Sequence, residues 1–207
     1  MCGRYYIAPA DPAIRRLIEE MNRTQLAERF RKDAGARILT EGEITPASVV
    51  PAMATSRTGE RRVFPMKWGF SSSGSGKLLI NARAETAAEK PTFRESWAAH
   101  RCAVPASWYF EWEHDERKRP GRKFALRPAG SGTGESGIAW LAGLYRLEEG
   151  VPAFVIVTRE ADESLRWMHD RIPLILTEQD AQRWILPGEA PEKAAEHCLT
   201  RLDWQPA

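Results

Sequence analysis

The sequence predicts an α+β fold in which a curved, barrel-like, mostly antiparallel β-sheet is flanked by helices. Three observations lead there. Short apolar runs rich in β-branched and aromatic residues are numerous from about Ser48 onward. These runs are irregularly spaced, and the helical segments follow them instead of alternating strictly with them, which disfavours a parallel βαβ arrangement. No internal repeat and no domain linker is visible, so residues 1–207 are expected to form one domain, a length that suits one core.

The elements justify this in order. Asp11-Pro12 supplies an N-cap and a first-turn proline, and Ile14, Leu17, Ile18 and Met21 then share one helical face. Leu26 and Phe30 continue that helix or begin a second one. Strands are predicted in SVVPAMAT, RRVFPMKWGF, KLLINAR, CAVPASWYFEW, KFALR, IAWLAGLYRL, PAFVIVT and IPLIL. Helices are expected at Phe93–His100, Asp162–His169, Glu178–Leu186 and Pro191–Leu199. The Ser/Gly-rich stretches Ser71–Gly76 and Gly130–Gly137 read as loops.

Bulk chemistry narrows the function classes. No apolar run is long enough to span a membrane, and the N-terminus lacks a basic-then-apolar export signal, so a cytoplasmic protein is expected. The three cysteines, Cys2, Cys102 and Cys198, are odd in number and form no CxxC pair. That argues against a disulfide framework and a structural zinc site, and leaves free thiols as nucleophile candidates. A net charge of +2 permits a nucleic-acid partner without requiring one. The eight tryptophans read mostly as core side chains.

Cys2 is the most unusual residue. Removal of Met1 leaves a free amine and a thiol on one residue. Such a 1,2-aminothiol condenses with an aldehyde to an imine, which the thiol closes into a five-membered thiazolidine. An α-amine titrating at about 7.7–8.0 keeps a neutral fraction near pH 7. The plain alternative is a chance cysteine in a frayed terminus. Asn81, at the end of the Leu78–Ile80 run, can hydrogen-bond a substrate or brace the N-terminus. Arg83 shares its side if the strand continues, and a guanidinium there suits a phosphate. The alternative is a strand turning into a helix with exposed charges. Alternation puts Tyr109 and Glu111 on one side of a strand and Trp108, Phe110 and Trp112 on the other. Glu111 is therefore either solvated or in a pocket that raises its pKa for acid–base work. His169, at an element end, suits proton transfer, or simply a helix dipole. His114 beside Glu111, Glu113 and Asp115 has no second histidine at ligand spacing, so a hairpin of solvated charges explains it better than a metal. Cys102 reads as a buried strand residue, and Cys198 as incidental in a C-terminal helix.

In this order the motifs resemble the SRAP family, the SOS-response-associated peptidases or abasic site processing proteins. The residues that carry the resemblance are Met1-Cys2-Gly3-Arg4-Tyr5, Met66-Lys67-Trp68-Gly69, Asn81-Ala82-Arg83-Ala84-Glu85-Thr86 and Phe93-Arg94. Arg101 to Ala106, Glu111-Trp112, Ala142 to Tyr145, Ile156 to Thr158 and His169 to Leu174 complete it, so it covers nearly the whole chain. The resemblance implies a fold around an open, barrel-like antiparallel sheet. It implies single-stranded DNA with abasic sites as the partner, and no cofactor or metal. Cys2 would be the crosslinking nucleophile, Asn81 would hold the sugar and N-terminal residue, Glu111 would shuttle protons, and His169 would assist deoxyribose ring opening. Arg4 and Arg83 would contact phosphates, and Trp68 or Phe70 are stacking candidates, although core packing suits Trp68 better. A monomer is expected. Two departures stand out. The family often reads GFYEW, and here Trp108 stands where that glycine would be. The loop after Trp68-Gly69 is a short Ser/Gly run.

Three rivals follow from the same residues. An N-terminal-nucleophile amidohydrolase also exposes a cysteine, yet usually carries an Asn-Gly pair where Asn81 is followed by alanine. A thiol peptidase would pair Cys2 with His169. A noncatalytic reader of damaged or modified DNA would bind reversibly without needing Cys2.

Overall fold

The computed structural model describes residues 2–33, 37–72, 76–114, 119–130 and 137–207. Its first half runs β1 (Arg4–Ile7), α1 (Pro12–Asn22), α2 (Gln25–Asp33), β2 (Gly42–Ile44), β3 (Val49–Thr55), β4 (Arg61–Trp68), β5 (Phe70–Ser71), β6 (Leu78–Leu79), β7 (Asn81–Arg83), α3 (Ala84–Ala87) and α4 (Arg94–Ala99). The second half runs β8 (Arg101–Ala106), β9 (Trp108–His114), β10 (Pro120–Pro128), β11 (Ala139–Glu148), β12 (Val151–Glu160), β13 (Arg171–Pro173), β14 (Ile175–Leu176), α5 (Glu178–Trp184), α6 (Pro191–Glu196) and β15 (Leu202–Pro206). None of the described helices is long and apolar enough to cross a membrane.

The fold class is as the sequence predicts. Strands β12, β4, β3, β8 and β11 close into a five-stranded barrel, since β11 pairs back onto β12. Four of its pairings are antiparallel, and β12–β4 is parallel. Closure leaves no free edge along these strands. β8 is buried along its whole length and β3 nearly so, the pattern of strands covered on both faces. Helices α1 and α2 pack on β4, and α5 on β8 and β11. Asp11 caps α1 by accepting from the Ala13 N–H at 2.8 Å, and Ile14 and Met21 are buried beneath it.

A second, wholly antiparallel sheet has the order β15-β10-β9-β1-β2. It presents Tyr5, Ile7, Tyr109, Glu111, Phe124 and Leu126, all buried, on one face. Arg4, Tyr6, Trp108, Trp112 and Lys123 lie on the other, as period-2 alternation requires. β12 joins the parts. Along one side it pairs first with β4 and then, also in parallel, with β7. Along the other it pairs with β11 and then β13. This places the starts of β7 and β13 around the C-terminal half of β12.

Two glycines in the family-like motifs have steric reasons. Gly69 has φ of 115° and a Cβ there would press on Leu78 at 3.1 Å, while a Cβ at Gly143 would meet Cys102 Sγ at 2.7 Å. Buried Arg101 acts as a cationic cap. It donates to the carbonyls of Trp97, Ala98, Trp184, Leu186 and Glu189, where α4 and α5 end and their carbonyl dipoles attract positive charge.

Several expectations shift. The CAVPASWYFEW run is two strands, β8 and β9, which pair with different sheets. KLLINAR divides likewise, into β6 and β7. The helix expected over Asp162–His169 is a single 3-10 turn at Glu163–Leu165, held by the Leu165 N–H to Asp162 O bond of 2.9 Å. Cys198 follows α6 rather than lying in it. The strands β1, β2 and β15, of four, three and five residues, are too short to show a periodic pattern. Of the loops expected at Ser71–Gly76 and Gly130–Gly137, Ser71 instead ends β5, and residues 73–75 and 131–136 lie outside the described residues.

Candidate active site

Cys2 stands just before β1 and is fully buried. Its carbonyl accepts a hydrogen bond from Asn81 Nδ2 at 3.2 Å, and its Sγ lies 3.9 Å from the Arg4 carbonyl oxygen. Asn81 opens β7 opposite Ile156 of β12, so the barrel's central strand fixes the group that holds the N-terminal residue. The carbonyl of Cys2 can only accept, which sets the amide orientation of Asn81. Three buried oxygens have no hydrogen-bond partner among the described residues: Asn81 Oδ1, Tyr5 Oη and Tyr109 Oη. Both tyrosine hydroxyls feel the Cys2 thiol electrostatically. A buried polar atom without a partner is costly unless something else binds it. A polar substrate entering beside Cys2 would satisfy them.

Glu111 is 2% exposed, which settles the choice left open by its alternation in β9. Burial raises its pKa above the ordinary carboxylate value. Burial also raises the Cys2 thiol pKa, and the Glu111 negative charge raises it further. The two groups therefore act on each other across the pocket, and the thiol is held protonated near neutral pH.

His169 follows the 3-10 turn, with 15% of its side chain exposed. Burial lowers its pKa to about 4. The neutral ring accepts the Arg171 N–H at Nδ1 (2.9 Å), which puts its proton on Nε2. The Asp170 carboxylate also lies 2.7 Å from Nδ1. A neutral Nδ1 cannot donate to Asp170 while it accepts from Arg171. The Arg171 N–H is fixed in direction toward Nδ1, while the Asp170 side chain is 81% exposed and solvated by water.

Sequence reasoning passed over His114. Instead of belonging to a solvated hairpin, it is half-buried, and its ring meets that of His169 edge-on at 4.9 Å. It also acts electrostatically on both Glu111 and His169. The register of β9 against β10 shifts by one residue at this point, where β10 carries an extra residue between Pro120 and Lys123. Asp115, its other sequence neighbour, lies outside the described residues.

Arg171 links two motifs that are 86 residues apart. It makes a two-pronged pair with Glu85 at 3.0 and 2.9 Å and donates to the Thr158 carbonyl at 2.7 Å. Glu85 also accepts the Glu160 N–H at 3.2 Å. The segments bearing Asn81 and His169 are thus braced against β12 by one guanidinium, in the fork geometry that arginine favours.

The two expected phosphate contacts differ in state. Arg83 is exposed and makes no side-chain hydrogen bond or ion pair among the described residues. Arg4 pairs with Glu43 at 2.6 Å, and Glu43 also holds Lys123 at 2.8 Å. Arg4 would therefore have to exchange a carboxylate for a phosphate. Trp68 and Phe70, weighed as base-stacking residues, are fully buried. Trp68 donates from Nε1 to the Ile80 carbonyl at 3.0 Å, so both belong to the core. Trp108, which replaces the glycine of the related motif, stacks on Tyr6 at 4.4 Å on the outer face of the second sheet.

The sequence matches the family described as SOS response associated peptidase (SRAP) over residues 1–206. It is 30% identical to the abasic site processing protein YoqW of Bacillus subtilis, over 98% of this chain and 88% of that protein. It is 36% identical to the abasic site processing protein YedK of Escherichia coli, over 69% of this chain and 66% of that protein. In three dimensions it resembles a crystal structure of a protein from Bacteroides thetaiotaomicron, with a TM-score of 0.72 at 21% identity, covering 99% of this chain and 91% of that one.

Proposed function

The chain belongs to the SRAP family, and from that premise we propose that it processes abasic sites in single-stranded DNA by crosslinking to them through Cys2 once Met1 is removed. The observation that carries this reading is the placement of Cys2. It is a second residue with a 1,2-aminothiol in prospect, buried, held by Asn81, and electrostatically coupled to a carboxyl group of raised pKa.

The residues divide the work as follows. An abasic deoxyribose must open before it can react, because its ring form hides the aldehyde. As the C1′–O4′ bond breaks, the proton of the C1′ hydroxyl passes to O4′, giving the aldehyde and a 4′-hydroxyl, and neutral His169 steadies the ring oxygen with a hydrogen bond from Nε2–H. The Cys2 amine then adds to C1′. Protonated Glu111 gives its proton to the carbinolamine hydroxyl, which leaves as water and yields an iminium. The resulting Glu111 carboxylate takes the thiol proton as sulfur bonds to C1′, closing the thiazolidine and restoring protonated Glu111. The sum is aldehyde plus aminothiol giving thiazolidine plus water. Ring closure removes the iminium that would otherwise drive strand cleavage, so the adduct shields the lesion. Asn81 positions the reacting residue, and Arg83 and Arg4 hold flanking phosphates with the salt dependence such contacts bring.

A denaturing gel tests this. Protein shown by mass to lack Met1 is mixed with single-stranded DNA carrying one abasic site, with intact DNA and Cys2→Ala as the other arms. The expected result is a heat-stable shifted band, confined to the abasic strand and absent in Cys2→Ala. The reading fails if no band forms, or if the band survives loss of Cys2.

A further inference from the structure

We infer that Trp167 and Trp204 form a stacking platform for the nucleobase next to the lesion, an inference that rests on the abasic-site reading above. Among the exposed large apolar side chains are these two tryptophans, 42% and 48% exposed. They touch each other, with ring centroids 5.3 Å apart, and each also meets Phe124 edge-on, at 5.3 and 5.5 Å. Paired exposed indoles are unusual in a chain that buries most of its large apolar groups, and they mark a contact surface.

Their place in the fold names the occupant. Phe124 pairs directly with Glu111 across β9 and β10, so its ring shares the face that bears the carboxyl group. Trp167 stands two residues before His169, its indole outside the pocket while the imidazole turns inward. The platform thus adjoins the residues next to Glu111 and His169, on the side where the neighbour of a sugar held at Cys2 would lie. Arg122 stacks its guanidinium over Phe124 at 5.5 Å while pairing with Glu113 at 2.9 Å, so the margin is polar. A base beside an abasic gap lacks one stacking neighbour and presents a bare π-face. An indole pair already fixed by a third ring can take that face without ordering a loop first.

The test uses single-stranded oligonucleotides with one abasic site. In one, adenines flank the site. In two others, a tetrahydrofuran spacer, which has neither base nor aldehyde, replaces the 5′ or the 3′ neighbour. Crosslinking is followed against DNA concentration for the wild-type protein and for Trp167→Ala, Trp204→Ala and the double variant, with thermal melts reporting the fold. The wild type should need at least about fivefold more DNA for half-saturation when one of the two flanking bases is missing, the lower end of what one base stacked on an aromatic ring supplies. The double variant should lose that difference. A wild type indifferent to both flanks, or a difference that the double variant keeps, overturns the platform. If the alanine variants do not fold, Trp167→Phe with Trp204→Phe serves in a second measurement. Quenching of indole fluorescence by intact single-stranded DNA should fall in that variant, and unchanged quenching overturns the inference. If the wild type crosslinks to no abasic strand, the function reading fails instead, and this quenching alone judges the platform.

Discussion

Lowering the pH from 7 to 5 should destabilise this protein through His169 in particular. Burial holds the folded-state pKa of this imidazole at about 4 against an ordinary 6.5. The unfolded chain therefore binds a proton below 6.5 that the folded chain refuses until about 4. The stabilising contribution is fully present above 6.5 and is lost as pH falls through the window from 6.5 to 4. Between pH 7 and pH 5 the linkage amounts to about 2 kcal/mol, a substantial part of the stability of an ordinary domain. The assay is urea unfolding of wild-type protein and His169→Gln at both pH values. Acidic groups titrate in both proteins and largely cancel, so the variant should lose about 2 kcal/mol less than the wild type on acidification. The imidazole Cε1–H resonance, identified by its absence from the variant, should titrate well below 6.5. An identical pH dependence in the two proteins, or an imidazole titrating at its ordinary value, refutes the account of a neutral, desolvated His169. The prediction also bears on activity. At pH 5 His169 remains mostly neutral, so the acid-side loss of crosslinking belongs to protonation of the Cys2 amine.

Three further outcomes are expected. Glu111→Gln should slow crosslinking by about 10²-fold or more, the scale of a lost general acid–base group, with DNA binding retained. Because burial raises the Glu111 pKa, ionising it costs stability as pH rises through the folded value, so the same variant should melt at a higher temperature than wild type at pH 8. Arg83→Ala should weaken binding of intact single-stranded DNA similarly across sequences, and reduce the slope of log affinity against log salt by about 0.7; an unchanged slope removes Arg83 from the phosphate contacts. Arg171→Met should cost about 1–3 kcal/mol, because it strands the Thr158 carbonyl and breaks a two-pronged pair whose carboxylate is 43% exposed, and a double-mutant cycle with Glu85→Gln should show coupling. Additive losses would mean that the two residues do not act as one brace.

Much of this was legible in the sequence, and the remainder was illegible for physical reasons. Long apolar strands such as β3, β11 and β12 declare themselves because burial on both faces demands unbroken apolar residues. Barrel closure does not, since the parallel pairing of Phe154 with Trp68 joins strands far apart in the chain, and local periodicity carries no trace of it. The candidate residues Cys2, Asn81, Glu111 and His169 could be picked out by chemistry and motif, yet only the fold shows Asn81 reaching Cys2 across 79 residues. Alternation put Tyr109 and Glu111 on one face without saying whether that face meets water or the barrel. His114 was passed over because ligand spacing along the chain cannot show its contact with the ring of His169, which only the fold creates. Trp167 and Trp204 passed unnoticed for a related reason: a tryptophan is usually core, and exposure is a property of its neighbours.

The electrostatics of the pocket bear on the order of the chemical steps. A thiol peptidase or amidohydrolase attacks with a thiolate, and such cysteines sit in electropositive surroundings that depress their pKa. Here burial, above all, pushes the Cys2 thiol the other way, and ionisation of Glu111 would push it further. His169 is a weak partner for a thiolate–imidazolium pair, because its pKa is already lowered to about 4. The same features suit an amine-first sequence. The α-amine needs only to be neutral, and an ordinary α-amine is neutral in good part near pH 8. A positive iminium, once formed at C1′, attracts the sulfur and the Glu111 carboxylate together, so the thiol loses its proton only when the carbon it attacks is in place. A buried, protonated thiol is thus a handicap for hydrolysis and an advantage for crosslinking, since it cannot react with solutes before the imine forms.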